Sequence, residues 1–269
     1  MASGEFYVTV FFLSDGILKE VQRVPMSSSI NLQTKPLIAA IIPMYNEEVH
    51  VVGMLEVLHA TDILDEIILV DDGSSDGTVD ILLRAASTDQ RFKVIQHEKN
   101  GGKGQAIFSG WAATTAPILL LLDADLKNLT PDHIRSLLDP VINHQTDMTL
   151  GLFKGGRLST DLSHRITPFL TGQRGLRAEL LKYISREASG GYGFEVALTM
   201  AARQKGYRKR IVTLKGVWHP SSESRPERGF WLGASWKARM YLQIIRAWYL
   251  VTRERFQNSK AFFSDIGKL

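Results

Sequence analysis

Two aspartates one residue apart, Asp123 and Asp125, follow directly on the apolar run Ile118-Leu119-Leu120-Leu121-Leu122. An extended Asp-x-Asp brings both carboxylates near one point, where hard oxygen ligands suit Mg²⁺ or Mn²⁺. The same pair also reads as the polar end of a strand, with Asp125 capping a turn. A phosphate placed beside them would be repelled by about 4 kcal/mol per close pair at an effective dielectric of about 20, so phosphate binding there requires a divalent cation between the charges.

Two further segments concentrate polar groups. Asp71-Asp72-Gly73-Ser74 places acceptors for base and ribose groups beside a glycine that permits close backbone approach. It reads equally as an Asx turn and N-cap, with Ser75 or Asp76 opening a helix. Gly101-Gly102-Lys103-Gly104 sets a lysine between glycines at a helix start, a setting suited to an anion or to a plain surface loop. It is not a P-loop, because Gly104-Gln105 stands where a Ser or Thr must follow the lysine. No Gly-x-Gly-x-x-Gly follows the first regular strand, which argues against a dinucleotide oxidoreductase.

The elements that must hold these groups alternate. Residues 37–42, 66–70, 92–96 and 117–122 read as short buried strands, and residues 47–59, 75–86 and 103–113 as helices between them. Thr130 reads as the N-cap, and Pro131 as the first residue, of a helix towards Asn143. This order predicts an α/β fold with a mostly parallel sheet covered on both faces, whose ligands bind beyond the carboxyl ends of the strands. All four strands deliver their polar residues to that one edge. Upstream, residues 6–13 and 17–24 flank Asp15-Gly16 and predict a β-hairpin, followed by a polar linker over 26–35.

Composition narrows the class. The chain has 269 residues, 44% hydrophobic and 22% charged, enough for a packed core. It has no cysteine, which removes disulfides and thiolate metal sites and fits a cytoplasmic setting. A net charge of +4 is too mild to imply nucleic acid. No run reaches the ~20 apolar residues of a membrane span, and the first residues read as lacking a signal peptide.

Taken together, Ile42-Pro43-Met44-Tyr45-Asn46-Glu47-Glu48, residues 70–78, Gly102-Lys103-Gly104 and Asp123-Ala124-Asp125 resemble the glycosyltransferase family 2 superfamily. Thr171-Gly172-Gln173-Arg174-Gly175-Leu176-Arg177 and Gly191-Tyr192-Gly193-Phe194-Glu195 are similar to its acceptor-side segments. Among its members, the likeness is to polyprenyl-phosphate sugar synthases and to glucosyl- and mannosyl-3-phosphoglycerate synthases. The resemblance implies the GT-A fold, a Rossmann-like sheet flanked by helices. The resemblance runs from about Leu37 to His219, and with the flanking patterns the chain divides into a hairpin extension and linker (1–35), a catalytic domain (36–228) and a C-terminal amphipathic helical segment (229–269). It implies a nucleotide-diphosphate sugar donor, UDP or GDP, lined by Pro43, Tyr45, Asn46, Glu47, Asp71, Asp72, Ser74, Lys103, Asp123 and Ala124. It implies Mg²⁺ or Mn²⁺ on Asp123, Asp125 and His219, although His219 also reads as a surface residue before Pro220. Asp125 and Glu195 take the catalytic positions, with Thr171, Gly172, Arg174 and Arg177 on the acceptor side.

Glu195 stands at the position of the family's base, where its charge would equally suit a helix N-terminus. The family's Glu-Asp pair is absent, since Val196 follows. That favours an acceptor already ionised, a polyprenyl phosphate or other lipid-linked group, with a soluble phosphoglycerate as the alternative. A non-catalytic nucleotide-sugar binding module also remains open. Arg157, Arg165, Arg225 and Arg228 would join Arg174 and Arg177 on the anion, and any one of them reads equally as part of a solvated basic face. Residues 230–256 interleave aromatic and basic side chains, a pattern for a helix at a membrane interface, packed on the domain, or in a homodimer contact.

Overall fold

The structure, a computed structural model, describes residues 7–14, 17–25, 36–155, 171–184, 193–218 and 220. The chain divides into two compact units, Met1–Lys35 and Pro36–Leu269. The first contains an antiparallel hairpin of β1 (Tyr7–Ser14) and β2 (Ile17–Pro25), with a register shift between Val10 and Phe11. Asp15-Gly16 lies between the two strands, outside the described residues.

In the second unit the strands are β3 (Ile38–Met44), β4 (Glu66–Asp71), β5 (Phe92–Gln96), β6 (Ile118–Leu121), β7 (Met148–Lys154), β8 (Arg174–Arg177) and β9 (Lys209–Lys215). They form one sheet in the order β5-β4-β3-β6-β8-β7-β9. The pairs among β3, β4, β5 and β6 are parallel, while β8 runs antiparallel to both β6 and β7. The helices are α1 (Glu48–His59), α2 (Thr78–Thr88), α3 (Lys103–Ala112), α4 (Pro131–Ile142) and α5 (Gly193–Gln204). Thr130 caps α4, accepting the His133 N–H.

Strand alternation sorts the core into two layers. On one face Ile38, Ala40, Ile42 and Met44 of β3 pack with Val51, Met54 and Leu58 of α1 and Ile134 and Leu137 of α4. On the other, Ala39 and Ile41 meet Ala106 and Ile107 of α3 and Phe194 and Leu198 of α5. Each fully buried Leu or Ile contributes about 1.5–3 kcal/mol over leaving it exposed. These two layers fix the strand ends, and with them the site.

The order places β4 on one side of β3 and β6 on the other, so the topology reverses between β3 and β6. Crevices for ligands open at the carboxyl ends of such strands. Pro43 sits at that point, inside β3 and not after it. The Ile41 carbonyl accepts from Leu122 on the β6 side and the Met44 carbonyl accepts from Asp72 on the β4 side, so by alternation Pro43 faces β6. The last residues paired there are Ile41 and Leu121, so its missing N–H breaks no ladder bond. Among the described residues no helix is long and apolar enough to cross a membrane.

Candidate active site

The rim of the crevice begins with two loops that hold each other. After β3, the Asn46 N–H donates to Ser74 Oγ at 2.9 Å and the Glu47 N–H to Thr78 Oγ1 at 3.0 Å. In return, the Ser75 N–H donates to Asn46 Oδ1 at 2.9 Å. Each following helix is capped by a carboxylate from the other loop. Asp76 accepts the Glu48 N–H at 3.2 Å, and Glu48 accepts the Gly77 N–H at 3.0 Å. These side chains are committed before the chain reaches helical geometry. That is why α2 starts at Thr78 and not at residue 75. Asn46 takes a left-handed φ of 54° to make the exchange. Pro43 is half-buried on this rim and Tyr45 is exposed.

Asp71 and Asp72 part ways at the end of β4. Asp71 is fully buried; its Oδ2 accepts the Ser74 N–H at 3.2 Å, while Oδ1 has no hydrogen-bond partner among the described residues. A buried carboxylate oxygen left unbonded is costly, and a donor N–H arriving from a ligand would satisfy it. Asp72 is committed in full. Its Oδ1 accepts the Gly101 N–H at 2.9 Å and faces His97 Nδ1 at 2.7 Å, and its Oδ2 accepts the Gly102 N–H at 2.7 Å. His97 Nε2 reaches Ser109 Oγ at 2.9 Å. The anion expected at the glycine-flanked start of α3 is therefore Asp72 itself. Both oxygens of Asp72 accept from the protein and order the loop that leads into α3.

Lys103 leans across the crevice. Its Nζ donates to Asp123 Oδ1 at 2.6 Å and to Glu195 Oε1 at 2.7 Å. Gln173 Nε2 donates to Asp123 Oδ2 at 2.8 Å. The Lys103 and Asp123 side chains remain 29% and 28% exposed, open to a ligand, whereas Glu195 is only 4% exposed. Burial pulls the Lys103 ammonium down, but the charges and hydrogen bonds of Asp123 and Glu195 outweigh it and hold it well above the ordinary lysine value. Glu195 lies in the first turn of α5, and its Oε2 is buried without a hydrogen-bond partner among the described residues. Gly172 makes the cluster sterically feasible: a Cβ there would fall 2.6 Å from both Lys103 Nζ and Asp123 Oδ2. Ala124 is buried between the two partly exposed aspartates.

Of the acceptor-side residues, Gly172 borders this cluster, while Thr171, Arg174 and Arg177 are engaged within the protein. Arg174 is completely buried. Its Nε donates to the Thr171 carbonyl at 2.9 Å, and its two terminal nitrogens to Thr199 Oγ1 at 3.0 Å and the Glu195 carbonyl at 3.1 Å. Burial pushes the guanidinium down to about 10, against the opposing pull of Glu195 and Asp123. It is the strut behind the cluster and presents no surface to an acceptor. Arg177 lies at the wrong end of the sheet. Because β8 is antiparallel, Arg174 pairs with Leu121 near the site while Arg177 pairs with Ile118 at the opposite end. There it forms ion pairs with Asp147 at 3.4 Å and Glu179 at 3.8 Å. Thr171 is buried and its hydroxyl donates to the Gly151 carbonyl at 2.6 Å. Gln173 and His97 were not singled out from sequence. Only the three-dimensional neighbours of Asp123 and Asp72 reveal them.

Arg157, Arg165, His219, Arg225, Arg228 and the segment 230–256 lie outside the described residues. Among the described residues no group of three or more His, Asp or Glu side chains is placed to hold a metal ion.

At this topological switch point Asp71 stands at the end of β4, and Asp123, bridged by Lys103, follows the end of β6. Residues 39–210 match the Glycosyl transferase family 2 model, and the chain belongs to that family. It is 34% identical over 108 residues to undecaprenyl-phosphate 4-deoxy-4-formamido-L-arabinose transferase of Aeromonas hydrophila, covering 38% of this chain and 33% of that protein. The corresponding protein of Pseudomonas syringae is 38% identical over 105 residues, covering 37% and 31%. The chain thus matches about a third of the length of these relatives. Among solved structures, glucosyl-3-phosphoglycerate synthase from Mycobacterium tuberculosis in complex with phosphoglyceric acid superimposes with a TM-score of 0.64 at 21% identity, over 80% of both chains. The same enzyme with Mn²⁺, UDP-glucose and phosphoglyceric acid gives a TM-score of 0.62 at 21% identity, again over 80% of both. At this identity the likeness is one of fold, and the fold is GT-A.

Proposed function

We propose that the chain transfers a sugar from a nucleoside-diphosphate donor, UDP- or GDP-linked, to a phosphate-bearing acceptor, most simply a polyprenyl phosphate. One observation carries the donor half: Asp71 keeps a buried oxygen unbonded at the end of β4, and Asp123 stands with Lys103 at the end of β6, on the two sides of β3. Asp71 then receives the base, the rim of Tyr45, Asn46 and Glu47 borders it, and the diphosphate lies towards Asp123 and Asp125.

The residues suit a divalent ion. Asp123 and Asp125 are two oxygen donors at a strand end, both partly exposed, and Mg²⁺ bound through one or two carboxylates completes its shell with substrate phosphates and water. Asp123, Asp125 and, from the sequence, His219 would hold it, and the ion would supply charge neutralisation of the departing diphosphate. Lys103 adds a cation on the same side.

The acceptor half rests on different support. The curated relatives are named for transfer involving undecaprenyl phosphate. Glu195, held by Lys103 and followed by Val196, is better placed to fix that lysine than to take a proton, and a phosphate acceptor needs no base. The crystallised phosphoglycerate synthase keeps a soluble phosphorylated acceptor as the second reading. An array of UDP- and GDP-sugars against polyprenyl phosphate, phosphoglycerate and neutral sugars, read by released nucleoside diphosphate, tests the proposal. Turnover with polyprenyl phosphate supports it. Turnover only with neutral hydroxyl acceptors overturns the acceptor half, and no binding or hydrolysis of any donor overturns the whole.

A further inference from the structure

The position of Lys103 raises a question that the donor reading leaves open, because its ammonium occupies the Asp123 oxygen that a metal would need. Among the described residues, Lys103 lies between Asp123 and Glu195, with the Arg174 guanidinium on the Glu195 carbonyl behind them. A divalent ion entering alone would bring its charge against an ammonium on the same carboxylate. A nucleoside diphosphate entering with it would offset that added positive charge.

Resting on the proposed donor reading, we propose that Lys103 is a stand-in cation that keeps Asp123 closed to free divalent ions and yields it only when ion and diphosphate arrive together. Three observations support this. Lys103 Nζ holds Asp123 Oδ1 and Glu195 Oε1 at once, so it can leave the first while anchored to the second. The buried Oε2 of Glu195 has no hydrogen-bond partner among the described residues, so the same carboxylate offers the ammonium a second seat when Asp123 is withdrawn. Asp123 does not depend on Lys103 for its orientation, because Gln173 fixes its other oxygen at 2.8 Å. The carboxylate thus stays aimed while the cation on it changes. The consequence is coupled binding: the nucleotide strengthens the metal and the metal strengthens the nucleotide by the same factor.

The test measures Mn²⁺ binding to the full chain by the paramagnetic resonance signal of free Mn²⁺, with and without UDP or GDP. In the wild type, Mn²⁺ alone should bind weakly, and the better nucleotide should tighten it at least ~10-fold. Lys103→Met removes the ammonium, so Mn²⁺ alone should bind at least ~10-fold tighter than in the wild type, with a smaller further gain from nucleotide. Lys103→Gln retains hydrogen bonding without the charge and should give the same gain, which covers failure of the methionine variant to fold. Adding Asp123→Asn to either variant should abolish the gain. If both charge-removing variants bind Mn²⁺ no better than the wild type, while nucleotide still tightens Mn²⁺ in all three, the stand-in role is overturned and the donor reading survives. If no protein binds Mn²⁺ with either nucleotide, the donor reading fails and the stand-in role falls with it.

Discussion

Asp72 and Gly102, thirty residues apart, are joined by a carboxylate accepting a backbone N–H at 2.7 Å. With the Gly101 N–H on its other oxygen, the same side chain fixes the start of α3 and so the point from which Lys103 projects. Hydrogen bonds to a charged group are worth about 1.5–3 kcal/mol each. Asp72→Ala should therefore lower stability by at least ~2 kcal/mol in urea unfolding and weaken donor binding by calorimetry. A variant with wild-type stability and donor affinity would show that the loop keeps its place without this carboxylate.

Gly172→Ala probes the steric requirement directly. Its Cβ would meet Lys103 Nζ and Asp123 Oδ2 at 2.6 Å, so the ion pair must separate or the loop must shift. Transfer rate should fall at least ~10-fold, about 1.4 kcal/mol of barrier, while far-UV circular dichroism stays native. An unchanged rate would mean that the separation does not matter.

Arg174→Ala should act on folding and on the whole site. It strips a buried cation from the neighbourhood of Glu195 and Asp123 and leaves the Thr171 and Glu195 carbonyls without its hydrogen bonds. Removing one partner of a buried charged network costs about 3–5 kcal/mol. Thermal unfolding should report the loss, and donor binding should weaken together with acceptor use. A stable variant impaired in acceptor use alone would restore Arg174 to the acceptor surface.

Asp125→Ala should cost at least ~100-fold in transfer rate, about 2.7 kcal/mol of transition-state stabilisation, with the fold intact. Stripping divalent ions with a chelator should produce a comparable loss in the wild type. Full turnover in excess chelator would remove the ion from the chemistry.

Acid stability should be set partly by Asp89, far from the crevice. The side-chain hydrogen bonds of Arg91 hold this carboxyl well below the usual range against the opposing effect of burial, helped by the Arg91 N–H and by His59. Its folded-state value lies below its unfolded one, so its contribution is complete above about pH 4 and is lost as pH falls towards the folded value. Arg91 in turn donates to the carbonyls of Thr61 and His59 at the end of α1. Asp89→Asn should lower stability at neutral pH by about 1–2 kcal/mol and flatten the acid limb of a stability–pH curve. An unchanged acid limb would assign that slope to other carboxylates.

What the sequence made legible follows the chain's local periodicity. Strands β3 to β6, the hairpin and the Thr130 cap lie where apolar runs, Asp-Gly and Thr-Pro predict them. The polar residues at the strand ends gather at one edge, as the parallel arrangement requires. What failed depended on lateral contacts. Lys103 and Glu195 are separated by 92 positions, and no local pattern announces their 2.7 Å pair. Arg174 and Arg177 looked like one basic surface because the direction of β8 cannot be read from four residues. Inserted antiparallel, that strand sends one arginine into the core and the other to the far end of the sheet. Helix starts erred where side chains were diverted, as at Ser75 and Asp76, whose groups serve the neighbouring loop.

The exchange of caps between Glu48 and Asp76 carries a lesson for anyone recombining such proteins. Each helix start is completed by a residue encoded about thirty codons from it, so neither segment is a self-sufficient cassette. A chimera that imports residues 45–48 from another member but keeps the resident 74–78 would leave one helix or both unfinished unless the incoming loop offers the same groups. The two stretches therefore constitute one heritable part, and drift in either is tolerated only when the other follows.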